Sequence, residues 1–540
     1  MLWRQNMKKN KLVITLLILI CAILLSSCNR ETELDTPNPD TNVPNDTVKK
    51  PIVPTFGETL RVSIRNPITL NPLLNEDQSV DQILKLVFDP LFKFDSEYKP
   101  IPHLVESFVI SSDNSNITLT LKENILFSNQ EPLTAYDVKY SIEVLQSAIE
   151  TVVYKSCVDN IQRTSVVDNQ TLKIYFKQPY AFSTYYLNFP IVSMKDSMSG
   201  SYDPFKPIGS GLYEIEEFVS MQNLKLIASQ QHKDEVYIER IEATITRDAS
   251  VETNAFDQKL VDMLFPSKFD WFEHSDASNQ KTLSYTTNYF EFLGFNFTNQ
   301  WLNNVVVRQA IATSINRQEI ADKQFLSEVV INDSPVHPDS WLSPKENQMV
   351  YKYDINNSKK LLNEIDIKDA DKDGYYDIPT LRLLVNEENI SRSKVATMIQ
   401  EYLKNTGIKI EIIAVDKGTF NTKLAAGEYD LVLTGWKLSV VPDYTDMFHS
   451  TQVQGGSNFI NYNNPVMDQA LRDVFASADD AMLYSNFQKF SNLYVQELPY
   501  VSLYFMNSII LTNNDVNGQL KPISDNAFNG IENLYISRQE

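Results

Sequence analysis

Cysteine is nearly absent from this chain: 540 residues hold three, at positions 21, 28 and 157. Cys21 and Cys28 lie in or just after an apolar N-terminal run. Cys157 is therefore alone in the body, which excludes an internal disulfide and a cysteine metal site. Histidine is equally sparse. His103, His232, His274, His337 and His449 include no pair at ligand spacing, which argues against a histidine-rich zinc or nickel site. The common catalytic signatures GxSxG, HExxH, GxGxxG and GxxxxGK[ST] do not occur. Gly209-Ser210-Gly211 lacks nucleophile-elbow spacing and reads as a backbone turn. Basic residues are outnumbered, 48 against 69 acids, for a net charge of −21. That balance argues against nucleic acid and against adhesion to anionic lipid heads. With so many acids, spacing alone neither picks out nor excludes a carboxylate dyad. Nothing in these residues compels an enzyme, and no cofactor is expected.

What is present begins with a leader. "MLWRQNMKKNK" is basic, and "LVITLLILICAILL" is an apolar run short for a membrane span and suited to a secretory signal. It ends in Leu25-Ser26-Ser27-Cys28, which resembles a bacterial lipobox: an aliphatic residue, two small ones, then the cysteine that becomes lipidated. A plain signal peptide with a chance cysteine is the alternative, and Met7 serves as well as Met1 for a start. The next segment, "NRETELDTPNPDTNVPNDTVKKPIVPT", has almost no apolar content and reads as a disordered tether. A tether behind a lipid anchor implies a body on the outer face of the bacterial cytoplasmic membrane. That body is about 485 residues, roughly three domain-sized units, and at 43% hydrophobic it can fill real cores.

Along the body, "TLRVSIR" alternates with Leu60, Val62 and Ile64 on one face. "NITLTLKENILFS" and "TLKIYFKQP" alternate likewise and are expected to pair. Between them Thr134 and Asp137 have capping-box spacing ahead of a helix in "AYDVKYSIEVL". Further on, "TLRLLVN" (380–386) reads as a strand and "SRSKVATMIQEYLKNTG" as an amphipathic helix closed by Gly407. "IKIEIIAV" (408–415) and "YDLVLTGW" (429–436) read as two more strands. This order predicts an α/β fold with a crossover in a largely parallel sheet, whose ligands sit beyond the carboxyl ends of the strands. Trp436 is at such an end.

One stretch resembles a metal site. In "DADKDGYYD", Asp369, Asp371 and Asp373 with Gly374 copy the start of an EF-hand loop, but Thr380 stands where the bidentate Glu belongs. A solvated acidic turn is the favoured reading, with weak structural calcium the alternative; no other metal site is expected.

Several segments, taken in order, resemble the extracellular solute-binding proteins of family 5, the oligopeptide/dipeptide class that feeds ABC importers. They are "LRVSIRNPITLNPLLNEDQSVDQILKLVFDPLFKFDSEYKPIPHLVESF", "ITLTLKENILFSNQEPLTAYDVKYSIE", "KPIGSGLYEIEEF", "EFLGFNFTNQWLNNVVVRQAIATSINRQEI", "YDINNSKKLLNE", "GEYDLVLTGW" and "NPVMDQAL". The resemblance spans residues 57–540. It implies a two-lobed, three-domain binding-protein fold of type II with a hinge. Domain I would comprise 56–91, 198–289 and 504–540, domain II 92–197, and domain III 290–503. It also implies a monomer that carries a solute, most simply a short peptide, to permease subunits.

The same resemblance implies the site. Gly435, Trp436, Lys437 and Leu438 would hold ligand backbone, with Trp436 as an apolar wall. Glu76, Asp77 and Gln78 would offer a second strand-like contact, and Asn254 falls where some relatives touch ligand. Tyr213 and Phe127 could line the cleft, although core packing is the better reading. Relatives often carry "G-W-x-x-D", whose Asp pairs with a peptide amine; here that position is Ser439. Asp443 is a candidate stand-in, with a turn-capping role after Pro442 as the alternative. The same scaffold binding a sugar, opine or metal chelate, a sensor role, and a secreted hydrolase are the competing readings.

Overall fold

Leu60, Val62 and Ile64 point into one core because the Gly57–Ile64 strand alternates as its sequence predicts. In the computed structural model, which describes residues 53–266, 280–344 and 350–538, this strand edges a four-stranded sheet. It runs parallel to Ile238–Ile245, followed by Asn223–Ala228 and Tyr213–Val219 in antiparallel order. Tyr213 and Phe127 are both core residues, each 1% exposed. A second sheet, fully antiparallel, orders Val105–Ile110, Asn116–Leu121, Thr171–Phe176 and Ile161–Val166. The expected pairing of the 116 and 171 segments is therefore present.

The Ala135–Ser147 helix packs on that second sheet, and its start is fixed by a capping box. The Asp137 carboxylate accepts from the backbone N–H (2.8 Å) and the hydroxyl (2.9 Å) of Thr134. One buried apolar cluster runs through both sheets. The Gly209–Gly211 turn lies hard against the backbone at Val87. A Cβ on Gly209 would sit 2.0 Å from the Val87 carbonyl oxygen, which accepts from the Gly211 N–H at 2.9 Å. This is the structural turn that the sequence suggested.

The third sheet has seven strands. Its order is Met263–Leu264, Tyr500–Asn513, Gln280–Phe295, Leu431–Lys437, Leu381–Asn386 and Ile410–Val415, with Val329–Val330 paired onto Tyr500–Asn513. The expectation of a largely parallel sheet is corrected here. Only Leu381–Asn386, Ile410–Val415 and Leu431–Lys437 are mutually parallel; the other pairings are antiparallel. The crossover helix, Ile390–Thr406, ends at Gly407 with φ +97°, a left-handed conformation that suits glycine.

The antiparallel half arises from two long strands, Gln280–Phe295 and Tyr500–Asn513. At one end Leu283 packs against and Ile510 lies within the core of the first two sheets; at the other, Leu293, Phe295, Val501 and Leu503 enter a second core with the crossover helix. Their pairing register shifts between Thr286 and Phe290. Two lobes are thus joined by two continuous strands with a break in regular pairing between the cores, the kind of place where a hinge bends. None of the described helices is long and apolar enough to cross a membrane.

Candidate functional site

Thr434 to Lys437 finish a strand that has a partner on one side only. Residues 431–437 pair with 289–295 along their whole length, whereas the parallel neighbour Leu381–Asn386 pairs only as far as Val385 with Leu433. Among the described residues, the far edge of Thr434–Lys437 pairs with no other strand, the kind of edge to which a chain can be added. The opening arises because Leu381–Asn386 leaves the sheet to start the helix at Ile390.

The side chains of this strip are held firmly. The partly buried Trp436 indole stacks on Phe459 at 5.6 Å and 27°. Phe459 lies over Phe292 at 6.4 Å and Phe292 over Tyr500 at 3.9 Å, so a column of rings supports the tryptophan from the core side. Gly435 leaves room for a charge: a Cβ there would lie 2.5 Å from Glu291 Oε1. That carboxylate receives two hydrogen bonds from Arg392, Nη2 at 2.7 Å and Nε at 2.8 Å, a bidentate pair. Burial opposes the charge on Arg392, but Glu291 outweighs it and holds the guanidinium pKa above its ordinary value. Glu291 and Arg392 line a groove of about 1140 Å³ together with Tyr289, Asn386, Asn389 and Lys417. Its volume lies somewhat above the usual range of about 300–1,000 Å³ for small-ligand sites.

The second predicted contact segment reaches the same place. Lys437 Nζ donates to Gln78 Oε1 at 2.9 Å, across 359 residues of sequence. Glu76 is exposed. Asp77 caps the Gln78–Leu84 helix, its carboxylate accepting from the backbone of Ser79 (2.7 Å) and Val80 (3.4 Å). Behind Gln78 lies a buried group absent from the sequence reading. Lys85 bonds Tyr154 Oη at 2.6 Å and pairs with Asp81 at 3.2 Å and Asp525 at 3.5 Å. The four-residue spacing of Asp81 and Lys85 was readable as a helix pair, but no local pattern announces Asp525.

With strip, groove and lobes in view, the comparisons are decisive. The family model described as "Bacterial extracellular solute-binding proteins, family 5 Middle" matches residues 99–458.

The chain belongs to this family.

Among curated relatives, the oligopeptide-binding protein AppA of Bacillus subtilis (strain 168) is 24% identical over 523 residues, covering 93% of this chain and 94% of that one. Solved structures agree on the fold. AppA from Bacillus subtilis in complex with a nonapeptide has a TM-score of 0.63 at 22% identity, covering 90% of this chain and all of that one. CtaP from Listeria monocytogenes scores 0.74 at 21% identity over the same shares. NikZ from Campylobacter jejuni in complex with Ni(L-His) scores 0.64 at 20%, covering 88% and 99%. The family is made of solute-binding proteins of transporters rather than enzymes, and this chain is a substrate-binding protein of that kind with a two-lobed fold.

Other anticipated residues of this solute-binding protein sit elsewhere. The Ser439 hydroxyl accepts from the Val441 N–H at 3.1 Å, inside the turn that follows the strip. The Asp443 carboxylate accepts from the Thr445 N–H at 2.9 Å, the turn-capping geometry. Burial raises the Asp443 pKa against those Thr445 bonds. Asp443 lines a different groove, of about 500 Å³, beside Tyr180, His449, Arg472 and Phe475. Leu438 donates its N–H to the Asn288 carbonyl at 2.8 Å, tying the end of the strip to the linking strand. Asn254 is exposed on the Ala249–Asp257 helix and is not among the groove-lining residues.

The carboxylates of Asp369, Asp371 and Asp373 offer oxygens within 4.8 Å of one another. Each also accepts a backbone N–H of its own turn, such as Gly374 to Asp369 at 3.0 Å. Cys28 lies outside the described residues.

Proposed function

We propose that this chain captures short peptides in the cleft between its lobes and hands them to the permease of an ABC importer. The observation that carries the reading is the open edge of Thr434–Lys437, flanked by Trp436 and facing Gln78. A peptide added there would satisfy its own backbone groups whatever its side chains, which gives sequence-tolerant recognition. Relatives named for oligopeptide and dipeptide binding favour peptide over other solutes. Gly435, Trp436, Lys437, Leu438 and Gln78 are the contact residues in this reading. The lobes would be domain I (56–91, 198–289, 504–540) with domain II (92–197), and domain III (290–503). Cys28 would carry the lipid that keeps a monomeric body at the outer face of the cytoplasmic membrane.

The test is to purify residues 57–540 and identify co-purifying ligand by native mass spectrometry. A peptide mixture supports the reading, whereas a single sugar or metal complex, or turnover of model substrates, overturns it. In the same preparation Trp436→Ala should reduce ligand-induced thermal stabilisation by more than about 1 kcal/mol, the worth of a large aromatic contact. An unchanged shift removes Trp436 from the pocket.

A further inference from the structure

Lys437 is the one cation on the open strip, and its charge is poorly answered. Among the described residues no carboxylate lies within ion-pair distance of its ammonium. Its hydrogen bond goes to the neutral amide oxygen of Gln78, and the ring of Tyr289 lies 5.8 Å away. An ammonium has three donors, so two remain for something else. The nearest acids are committed elsewhere: Asp81 and Asp525 both face Lys85, which also holds Tyr154. Burial lowers the Lys437 pKa despite those two carboxylates, as expected for a cation that lacks a full partner.

The placement matters as much as the charge. Gly435 and Lys437 share one face of the strand and Trp436 takes the other, because strand side chains alternate. A chain added along the open edge sets one of its own side chains beside Lys437 and others beside Trp436. The first position is next to an unmatched cation and the second next to an aromatic wall.

We propose that Lys437 is a specificity residue, and that the cleft favours peptides carrying an acidic side chain at the position beside it. This rests on the peptide reading above. A ligand carboxylate there would form a charge-assisted hydrogen bond with an ammonium that holds only a neutral partner, without displacing an existing ion pair.

Three tripeptides of equal length serve as probes: Ala-Glu-Ala, Ala-Gln-Ala and Ala-Lys-Ala, each titrated calorimetrically into the body (residues 57–540). Pentapeptides with the same three residues at each internal position form a second set. The wild-type protein should bind the Glu member of a set about tenfold more tightly than its Gln counterpart, the usual worth of one hydrogen bond to a charged group. Lys437→Gln should abolish the preference, so that the Glu and Gln members of a set bind that variant alike. Lys437→Glu should reverse it in favour of the Lys peptide. Thermal melts establish that both variants are folded, as expected at an exposed position. If all members bind alike and Lys437→Glu changes nothing, the specificity role is wrong while the peptide reading stands. If none of the peptides binds the wild-type protein, the peptide reading itself falls and takes this one with it.

Discussion

At Gly435 a single methyl group decides the geometry of the groove. Its Cβ would meet Glu291 Oε1 at 2.5 Å and the Phe290 carbonyl at 2.8 Å, and the second contact is backbone that cannot swing away. Gly435→Ala should therefore displace the Glu291–Arg392 pair and cost about 1–3 kcal/mol of stability, the range for overpacking. Urea unfolding measures it, and an unchanged midpoint would mean that the strand yields there. His337 shows the opposite sensitivity, to protons. Its ring is buried against Tyr98 (4.3 Å) and Phe505 (5.5 Å), and Nδ1 accepts from the Asp339 N–H. Burial lowers its pKa to about 4 from the usual 6.5. Between those values the unfolded chain takes up a proton that the folded protein refuses. Stability from this group is complete above about pH 6.5 and is lost as pH falls toward about 4, at about 1.4 kcal/mol per unit. His337→Asn keeps an acceptor near Nδ1 but cannot titrate, so urea midpoints at pH 7 and pH 5 should differ less than in the wild type. Equal differences would assign the acid sensitivity elsewhere. Gly435 was a candidate from sequence as a ligand contact, but neither its clash with Glu291 nor the burial of His337 was legible there, because both are defined by neighbours far along the chain.

Among the elements, the Ala135–Ser147 helix separates a local signal from a tertiary one. Thr134 and Asp137 form the capping box that their spacing predicts, and this part was legible because the partners are three residues apart. The other Asp137 oxygen accepts from the Met194 N–H at 2.8 Å, a bond across 57 residues that no local pattern contains. Thr134→Ala should cost about 1 kcal/mol, as the loss of a cap does. Asp137→Ala should cost more, since it also strands a backbone donor at Met194. Comparing the two by urea unfolding checks the ranking, and equal losses would reduce Asp137 to a cap alone. The third sheet makes the same division. Its three parallel strands and crossover helix were readable from alternation and from Gly407. The two long strands that make the sheet mixed, Gln280–Phe295 and Tyr500–Asn513, were not read as strands. Tyr500–Asn513 is apolar through much of its length, while Gln280–Phe295 is polar in its first half and buried nearly throughout its second, so neither keeps the simple in-and-out alternation of a one-sided strand from end to end.

For the molecule as a whole, the proposed anchor and the folded body should be separable. Cys28→Ser should abolish incorporation of labelled fatty acid and release the protein from the membrane fraction. Peptide affinity should stay unchanged, because residues 57–540 carry both lobes. Continued membrane association of the unlabelled variant would replace the lipid with another means of attachment. Two chains of lipid suffice for stable anchoring where one gives only reversible binding. The body shows no internal cross-link to compensate for weak packing: Cys157 is unpaired and burial pushes its thiol up to about 12, so it is inert at neutral pH. Its stability rests on the cores, one through the first two sheets and others around the third.

The sequence by itself determined the α/β class, the alternating strands and the capping box, the family, and the Gly-Trp strip as the segment to watch. Each of these depends on residues within a few positions of one another or on a pattern that survives in order along the chain. Only the tertiary structure decided that the strip has an open edge, that Lys437 faces Gln78 from 359 residues away, and that Glu291 meets Arg392 from 101. It also set Asp443 into a turn beside a second groove. An unpaired edge and an unanswered charge are defined by what fails to arrive from elsewhere in the chain. Residue order alone does not carry that information, because the arrival depends on how two lobes fold and meet.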